Sequence, residues 1–308
     1  SLSCSNDFCS YKLKNIVARS LVSVSISNTN MLKYYSSIVL VCFSLALVQA
    51  VPEGRIVAGW PAMPGQFPYQ VSVKYKGRHK CGGTIISQNY ILTAAHCLFN
   101  VTMPLLSGTN HRVNGGIRIA VNETIVHPKY IFDDVSDIAL VRLANPLTFS
   151  RTIRPIELSS DDVPENSTVV ISGWGRLSED GAKPDQLQWT TLQTLSKRSC
   201  DVVLRHNSKN LICLAHPKGT GTCFGDSGGA ALDLSYLRVV GVASFVLKEC
   251  GTARPDGYVK VSRYLDWIKS HSDVEELNFS ELWLSWIMEE LLLNTKSYQN
   301  LNKHSTSN

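Results

Sequence analysis

The chain has 308 residues, 44% of them hydrophobic and 18% charged, with a formal net charge of +5. That length supports a large core in one or two subdomains. Residues 1–55 carry an excess of basic residues and residues 272–308 an excess of acidic ones, while Lys and Arg between them are dispersed. No basic–aromatic cluster accompanies them, which argues for a solvated surface and against a nucleic-acid footprint.

Residues 1–30 are rich in Ser and Asn, and the first methionine is Met31. From there the pattern is that of a secretory signal. Lys33 stands near its start, the apolar run Ile38–Val48 follows, and Val48-Gln49-Ala50 ends on a small residue. The run is too short to span a bilayer. The expectation is that translation starts at Met31, with residues 1–30 upstream of it, residues 31–50 a signal peptide and residues 51–55 a short propeptide. Residues 69–75 then alternate with period two and stop at Gly77, which reads as a strand and turn. Thr93-Ala94-Ala95-His96-Cys97 supplies a histidine, and Asp137-Ile138-Ala139-Leu140 an aspartate opening an apolar run. Residues 168–172, followed by Gly173, and residues 238–245, with Gly241 inside, are β-branched runs that read as strands. Between them stands Gly225-Asp226-Ser227-Gly228-Gly229, where flanking glycines allow a tight turn that projects the serine hydroxyl. Such a turn is also an ordinary surface feature. Near the end of this region Tyr264, Trp267, Ile268 and His271 are spaced as one helix face. No strand–helix–strand alternation appears, so the chain reads as all-β, not as an α/β hydrolase.

A serine hydroxyl is a poor nucleophile unless a base lies beside it and an anion site in front. The order His96, Asp137, Ser227 supplies the base, its orienting acid and the nucleophile. On these three blocks and the cysteines around them, the chain resembles the chymotrypsin-like serine proteases from Ile56 to about His271. The resemblance implies two six-stranded antiparallel β-barrels with a C-terminal helix, His96 and Asp137 on the first barrel and Ser227 on the second. It implies an oxyanion hole from the N–H groups of Gly225 and Ser227. It implies disulfides Cys81–Cys97, Cys200–Cys213 and Cys223–Cys250; the cysteines alone leave the pairing open, and zinc ligation would favour a CxxC spacing that is absent. Cleavage between Arg55 and Ile56 would free an ammonium to pair with Asp226. Disulfides and a signal together imply a secreted, extracellular protein.

The substrate pocket implied by the resemblance comprises Gly221, Thr222, Phe224, Ser244, Phe245, Val246 and Asp256. Ser244 also matches the family serine that supports the buried aspartate, and the backbone of Ser244 and Val246 would pair with an extended substrate. Trypsin-like members carry an acid six residues before the nucleophile, where this chain has Gly221. Asp256 aligns with the back of the pocket and offers a partial replacement. Val246 replaces the glycine that opens the pocket wall, Phe245 replaces a tryptophan, and Ala230 replaces the proline after Gly228-Gly229. Steric narrowing by Val246 outweighs the reach of Asp256, so cleavage after apolar residues is expected, with cleavage after Arg or Lys through Asp256 as the alternative. A protease homologue that binds without cutting is a second alternative, although no member of the triad is lost.

Asn-x-Ser/Thr sequons occur at Asn100, Asn122, Asn166 and Asn278. The stretch from Leu98 to Glu123 contains no Asp and a single Glu, so the carboxylate cluster of a calcium site is missing. No metal and no cofactor are expected. The partners expected are protein or peptide substrates, an activating trypsin-like protease and protein protease inhibitors, with the chain itself a monomer. Residues 272–308 form a C-terminal extension in which Leu277, Phe279, Leu282, Trp283, Trp286 and Ile287 stand mostly at helical spacing. Glu281, Glu289 and Glu290 interrupt it, which argues against a membrane span.

Overall fold

The computed structural model describes residues 59–98, 105–130 and 136–274. The expected signal, propeptide, activation junction Arg55–Ile56 and C-terminal extension beyond Val274 lie outside the described residues, as do Asn100 and Asn278. Asn122 and Asn166 are both exposed. Among the described residues no helix is long and apolar enough to cross a membrane.

Two antiparallel sheets make up the domain. The first contains β2 (Gln70–Tyr75), β3 (Arg78–Ile85), β4 (Tyr90–Thr93), β5 (Leu105–Ser107), β6 (Ile117–Ile119), β7 (Val121–Val126) and β8 (Ala139–Leu143). Their order is β6-β5-β2-β3-β4-β8-β7. β6 and β7 stand at opposite ends of that order, yet only Ala120 separates them in the chain. One bent strand therefore carries the sheet round on itself, and the seven segments form a six-stranded barrel. The β2–β3 hairpin turns through Lys76 (φ 49°) and Gly77 (φ 77°). Two positive φ values in a two-residue loop match the right-handed twist of the flanking strands.

The second sheet contains β1 (Trp60–Pro61), β9 (Thr168–Gly173), β10 (Gln188–Thr194), β11 (Leu211–Ala215), β12 (Ala230–Asp233), β13 (Arg238–Phe245) and β14 (Asp256–Lys260). The order β1-β10-β11-β14-β13-β12-β9 is closed by pairing of β9 with β10, which leaves β1 as an appended edge. Both expected six-stranded barrels are thus present. Their interiors are apolar: Val71, Val73, Ile85, Ile91 and Leu140 in the first, Val169, Ile171, Leu192, Leu214 and Tyr258 in the second. Each such aliphatic side chain contributes about 1.5–3 kcal/mol relative to an exposed one.

The alternation in β2 reads as one buried and one wet face, but Gln70, Ser72 and Lys74 on its polar face are buried too. They face other protein instead of water. Ser172 on β9 donates to Gln70 Oε1 at 2.8 Å, a bond from one barrel to the other. Lys74 donates to the Arg112 carbonyl at 2.9 Å and Ser72 Oγ meets His79 Nδ1 at 2.8 Å, so these buried polar groups find partners within the protein.

Two short helices complete the domain. α1 (Lys197–Leu204) is absent from the sequence reading; its first turn is capped by Ser196, whose side chain accepts from the Ser199 N–H. α2 (Leu265–Ser270) buries Ile268, with Tyr264 buried at its start. Trp267 lies edge-on to the His127 ring, 4.9 Å between centroids. His271 differs from the expected face: it follows the last turn and is exposed, its ring beside Trp267.

All three expected disulfides are present, Cys81–Cys97, Cys200–Cys213 and Cys223–Cys250. Loops of 16, 13 and 27 residues are closed in this way. Restricting the unfolded chain by loops of that size stabilises by roughly 3 kcal/mol each. The first bridge holds the turn that carries His96, and the third joins the loop of Ser227 to the segment after Val246.

Candidate active site

Ser227 sits in the loop from Cys223 to Gly229, between β11 and β12. Both barrels hold this loop. Gly82 on β3 donates its N–H to the Ser227 carbonyl at 2.8 Å, and the Gly228 N–H bonds the carbonyl of Ala243 on β13 at 2.7 Å. Gly228 has φ +79°, and a Cβ there would lie 2.2 Å from Thr93 Oγ1, so the turn is open to glycine alone.

His96 lies in a 3-10 turn, Ala95–Leu98, directly after β4. Its backbone N–H donates to Asp137 Oδ1 at 2.9 Å and its Nδ1 meets Asp137 Oδ2 at 2.7 Å. A carboxylate accepts, so Nδ1 carries the proton and Nε2 keeps a lone pair. Ser244 on β13 donates its hydroxyl to Asp137 Oδ2 at 2.6 Å, tying the acid of one barrel to the other. Asp137 is 1% exposed in its side chain, the His96 ring 30%. The acid is sealed and the imidazole is open. The Ser227 carbonyl oxygen lies 3.6 Å from Cys97 Sγ, so the Ser227 loop runs beside the residue that follows His96.

The anion site expected beside Ser227 is shaped by a buried network. Among the described residues the N–H groups of Gly225 and Ser227 have no hydrogen-bond partner. The Gly225 carbonyl is turned away and meets His79 Nε2 at 2.9 Å, while His79 Nδ1 meets Ser72 Oγ at 2.8 Å. A carbonyl only accepts, so Nε2 bears the proton and Nδ1 accepts from Ser72. Burial, aided by the charge of Lys183, pushes the His79 pKa down to about 3. Asp226, 4% exposed, accepts from the N–H groups of Gly175 and Cys223 at 2.7 and 3.0 Å. Burial raises its pKa to about 6 against these bonds and the charge of Lys183. Lys183 itself donates to the His79 carbonyl at 3.0 Å. Neither His79 nor Lys183 is found by sequence reasoning, because neither belongs to a spaced motif.

The residues expected to line the substrate pocket come from three segments. Gly221, Thr222 and Phe224 precede Ser227, Ser244 and Phe245 end β13 with Val246 just beyond, and Asp256 opens β14. Phe245 lies on Gly257, where a Cβ would meet its ring at 2.2 Å. Val246 is half-buried and Phe224 is exposed, its ring 5.9 Å from the Arg176 guanidinium. Asp256 is buried, and its Oδ2 accepts the Thr222 N–H at 2.6 Å. The same oxygen lies 3.4 Å from Nε2 of His216, a residue that carries no sequence signal.

Among the described residues one group has the ligand types of a metal site, Cys81, His96 and Cys97. Its two sulfurs are joined in a disulfide and offer no thiolate.

A family model described as trypsin matches residues 56–268. The chain is 39% identical over 222 residues to serine protease SP24D of Anopheles gambiae, covering 70% of this chain and 80% of that protein. It is 34% identical over 259 residues to trypsin alpha-4 of Lucilia cuprina, covering 78% and 98%. Among solved structures it is similar to neuropsin, a serine protease expressed in the limbic system of mouse brain. That match has a TM-score of 0.65 and 27% identity, and covers 71% of this chain and 98% of the other.

Proposed function

The chain belongs to the trypsin family and is a serine endopeptidase, and from that premise we propose a secreted enzyme, activated by cleavage after Arg55, that prefers apolar residues before the cut. The observation that carries the chemistry is the Asp137–His96 couple beside the Ser227 loop. Ser227 attacks the peptide carbonyl while Nε2 of His96 takes its proton, later giving it to the leaving amine. Asp137 holds the tautomer and stabilises the imidazolium that forms. The free N–H groups of Gly225 and Ser227 receive the oxyanion, each donor of this kind supplying about 2.7–4 kcal/mol to the transition state. Water then repeats the cycle on the acyl-enzyme.

The preference for apolar residues rests on Gly221 at the pocket floor, Val246 at its wall and an Asp256 already engaged by Thr222. A bound Arg or Lys would leave a buried charge without a free counter-charge. Cleavage after Arg or Lys through Asp256 is the second reading, favoured by the carboxylate at the back of the pocket and by the name of the Lucilia relative. Cleavage-site profiling of the activated enzyme on a diverse peptide mixture separates the two: apolar residues before the cut support the first, Arg and Lys the second. A binding homologue that cuts nothing would return no cleavage at all.

Secretion is supported by the signal-like segment from Met31 and by the three disulfides, which persist outside the cytosol. Activation is supported by Asp226, a buried carboxylate with two backbone donors that an ammonium on Ile56 would complete as a pair. N-terminal sequencing of active material should begin at Ile56; a mature terminus elsewhere would overturn the activation scheme. Glycans at the sequons, protein inhibitors and a monomeric state belong to the same proposal.

A further inference from the structure

We propose that His216 is a specificity-determining residue: with Asp256 it forms a buried pair behind Gly221 that sets, according to pH, whether the primary pocket accepts a cationic side chain. The inference deepens the pocket reading above and rests on it. Gly221 has φ +107°, and a Cβ there would stand 2.7 Å from the His216 ring and 2.8 Å from Asp256 Oδ2. The pair therefore lies directly against the residue that replaces an acid at the floor. Its side chains are 1% and 4% exposed, although the backbone of the His216 segment reaches solvent.

The hydrogen-bond geometry suits the imidazolium. His216 Nδ1 lies 3.1 Å from the Pro217 carbonyl, an acceptor only, so Nδ1 carries a proton. Nε2 is buried without a hydrogen-bond partner among the described residues, and its polar neighbour is the Asp256 carboxylate at 3.4 Å. A lone pair aimed at a carboxylate is repelled, whereas an N–H there is attracted. Burial opposes the charged ring, but Asp256 and the backbone carbonyls of Pro217 and Arg254 outweigh it, so the pKa stands above the ordinary imidazole range. From β14 Asp256 and Tyr258 face this site, the Tyr258 hydroxyl being held by Thr222 Oγ1 at 2.8 Å. The charge of Asp256 also reaches Asp226 in the neighbouring loop, where Lys183 opposes it. Lys218 and Arg254 on the adjoining segments are exposed.

The sign follows from these groups. A protonated His216 neutralises Asp256, and the floor offers a cation no net charge. As pH rises through the raised pKa the ring becomes neutral and Asp256 stands uncompensated behind Gly221. A cationic side chain then gains a partner that an apolar one does not use. The preference for Arg or Lys over an apolar residue should therefore grow with pH.

The test uses activated enzyme and matched peptides differing only at the residue before the cut, Arg or Leu, with kcat/KM measured from pH 5.5 to 9. The Arg/Leu ratio in wild type should rise about tenfold or more, the scale on which pocket contacts discriminate. In His216→Gln the ratio should be high and flat, and in Asp256→Asn low and flat. Binding of benzamidine, an aromatic cation, to wild type should tighten over the same range and needs no variant. A pH-independent ratio with pH-independent benzamidine affinity would overturn the inference. Titration of active sites with a serine-directed phosphonate accompanies the assay. Labelled, active enzyme with a flat ratio overturns the role of His216 alone; enzyme that neither labels nor cuts overturns the protease reading and this inference with it.

Discussion

His96 and Asp137 meet at 2.7 Å with the imidazole 30% exposed, whereas His216 and Asp256 face each other across 3.4 Å with both side chains sealed. The residue types are the same and the surroundings are not. In the first pair the carboxylate takes the N–H and Nδ1 of His96 and the Ser244 hydroxyl, which fixes the ring, while Nε2 lies 3.7 Å from the disulfide sulfur of Cys97. In the second, Nε2 is turned inward to the carboxylate and the open side is a backbone carbonyl. A histidine exchanges protons with a reacting group only if one nitrogen is free and accessible. By that criterion the exposed ring of the first pair suits proton transfer and the sealed ring of the second does not.

The largest effects should come from breaking the first pair. Ser227→Ala and His96→Ala should each lower kcat by on the order of a million-fold, because groups that act as a unit fail as a unit. Steady-state assay of purified variants checks this, and substantial residual turnover in either would refute the assignment. Asp137→Asn should lose roughly ten-thousand-fold, since an amide presents the wrong tautomer to Nδ1. The same exchange at Asp256 should leave kcat for apolar substrates far less affected, which separates the two pairs directly.

A third histidine sharpens the comparison through stability. His79 is buried as the neutral ring, its pKa near 3 in the folded chain against about 6.5 for a free imidazole. Above the free value both states are neutral and the stability is fully present. As pH falls from there toward 3, the unfolded chain takes up a proton that the folded chain refuses. Stability should drop by on the order of 5 kcal/mol across that window. Denaturant unfolding at pH 7, 5.5 and 4 measures it, and His79→Gln should flatten the profile even if it lowers stability at pH 7. An unchanged wild-type profile would contradict the buried neutral state.

The smallest expected effect lies at the pocket wall. Val246→Gly should improve cleavage after large aromatic residues by about ten- to two-hundred-fold. It should also improve the access of Arg and Lys to Asp256, and adding Asp256→Ser should remove that added basic activity while keeping the aromatic gain. Matched peptide kinetics decide it. Loss of efficient wild-type cleavage after Arg in Asp256→Ser alone would promote the second reading of the pocket.

The two pairs also differ in how legible they were. His96, Asp137 and Ser227 lie in short motifs whose order carries the chemistry, and the cysteines around them paired as the resemblance implied. Strands such as β9 and β13 were readable because both carry β-branched runs. His216, His79 and Lys183 were not readable, since each acquires its role from a contact across the fold. The His79 ring meets a carbonyl 146 residues away, and no local spacing encodes that. The burial of Gln70 escaped for the same reason: the Ser172 hydroxyl that donates to it belongs to the other barrel. Helix α1 is only eight residues long and depends on a serine cap.

The central claim is that His96 activates Ser227. Activated wild type and His96→Ala should be treated with a serine-directed fluorophosphonate and the adduct mapped by peptide mass spectrometry. The account predicts rapid, stoichiometric modification of Ser227 in wild type and loss of that reaction in the variant. Unmodified Ser227 in wild type, or equal labelling in His96→Ala, would contradict it.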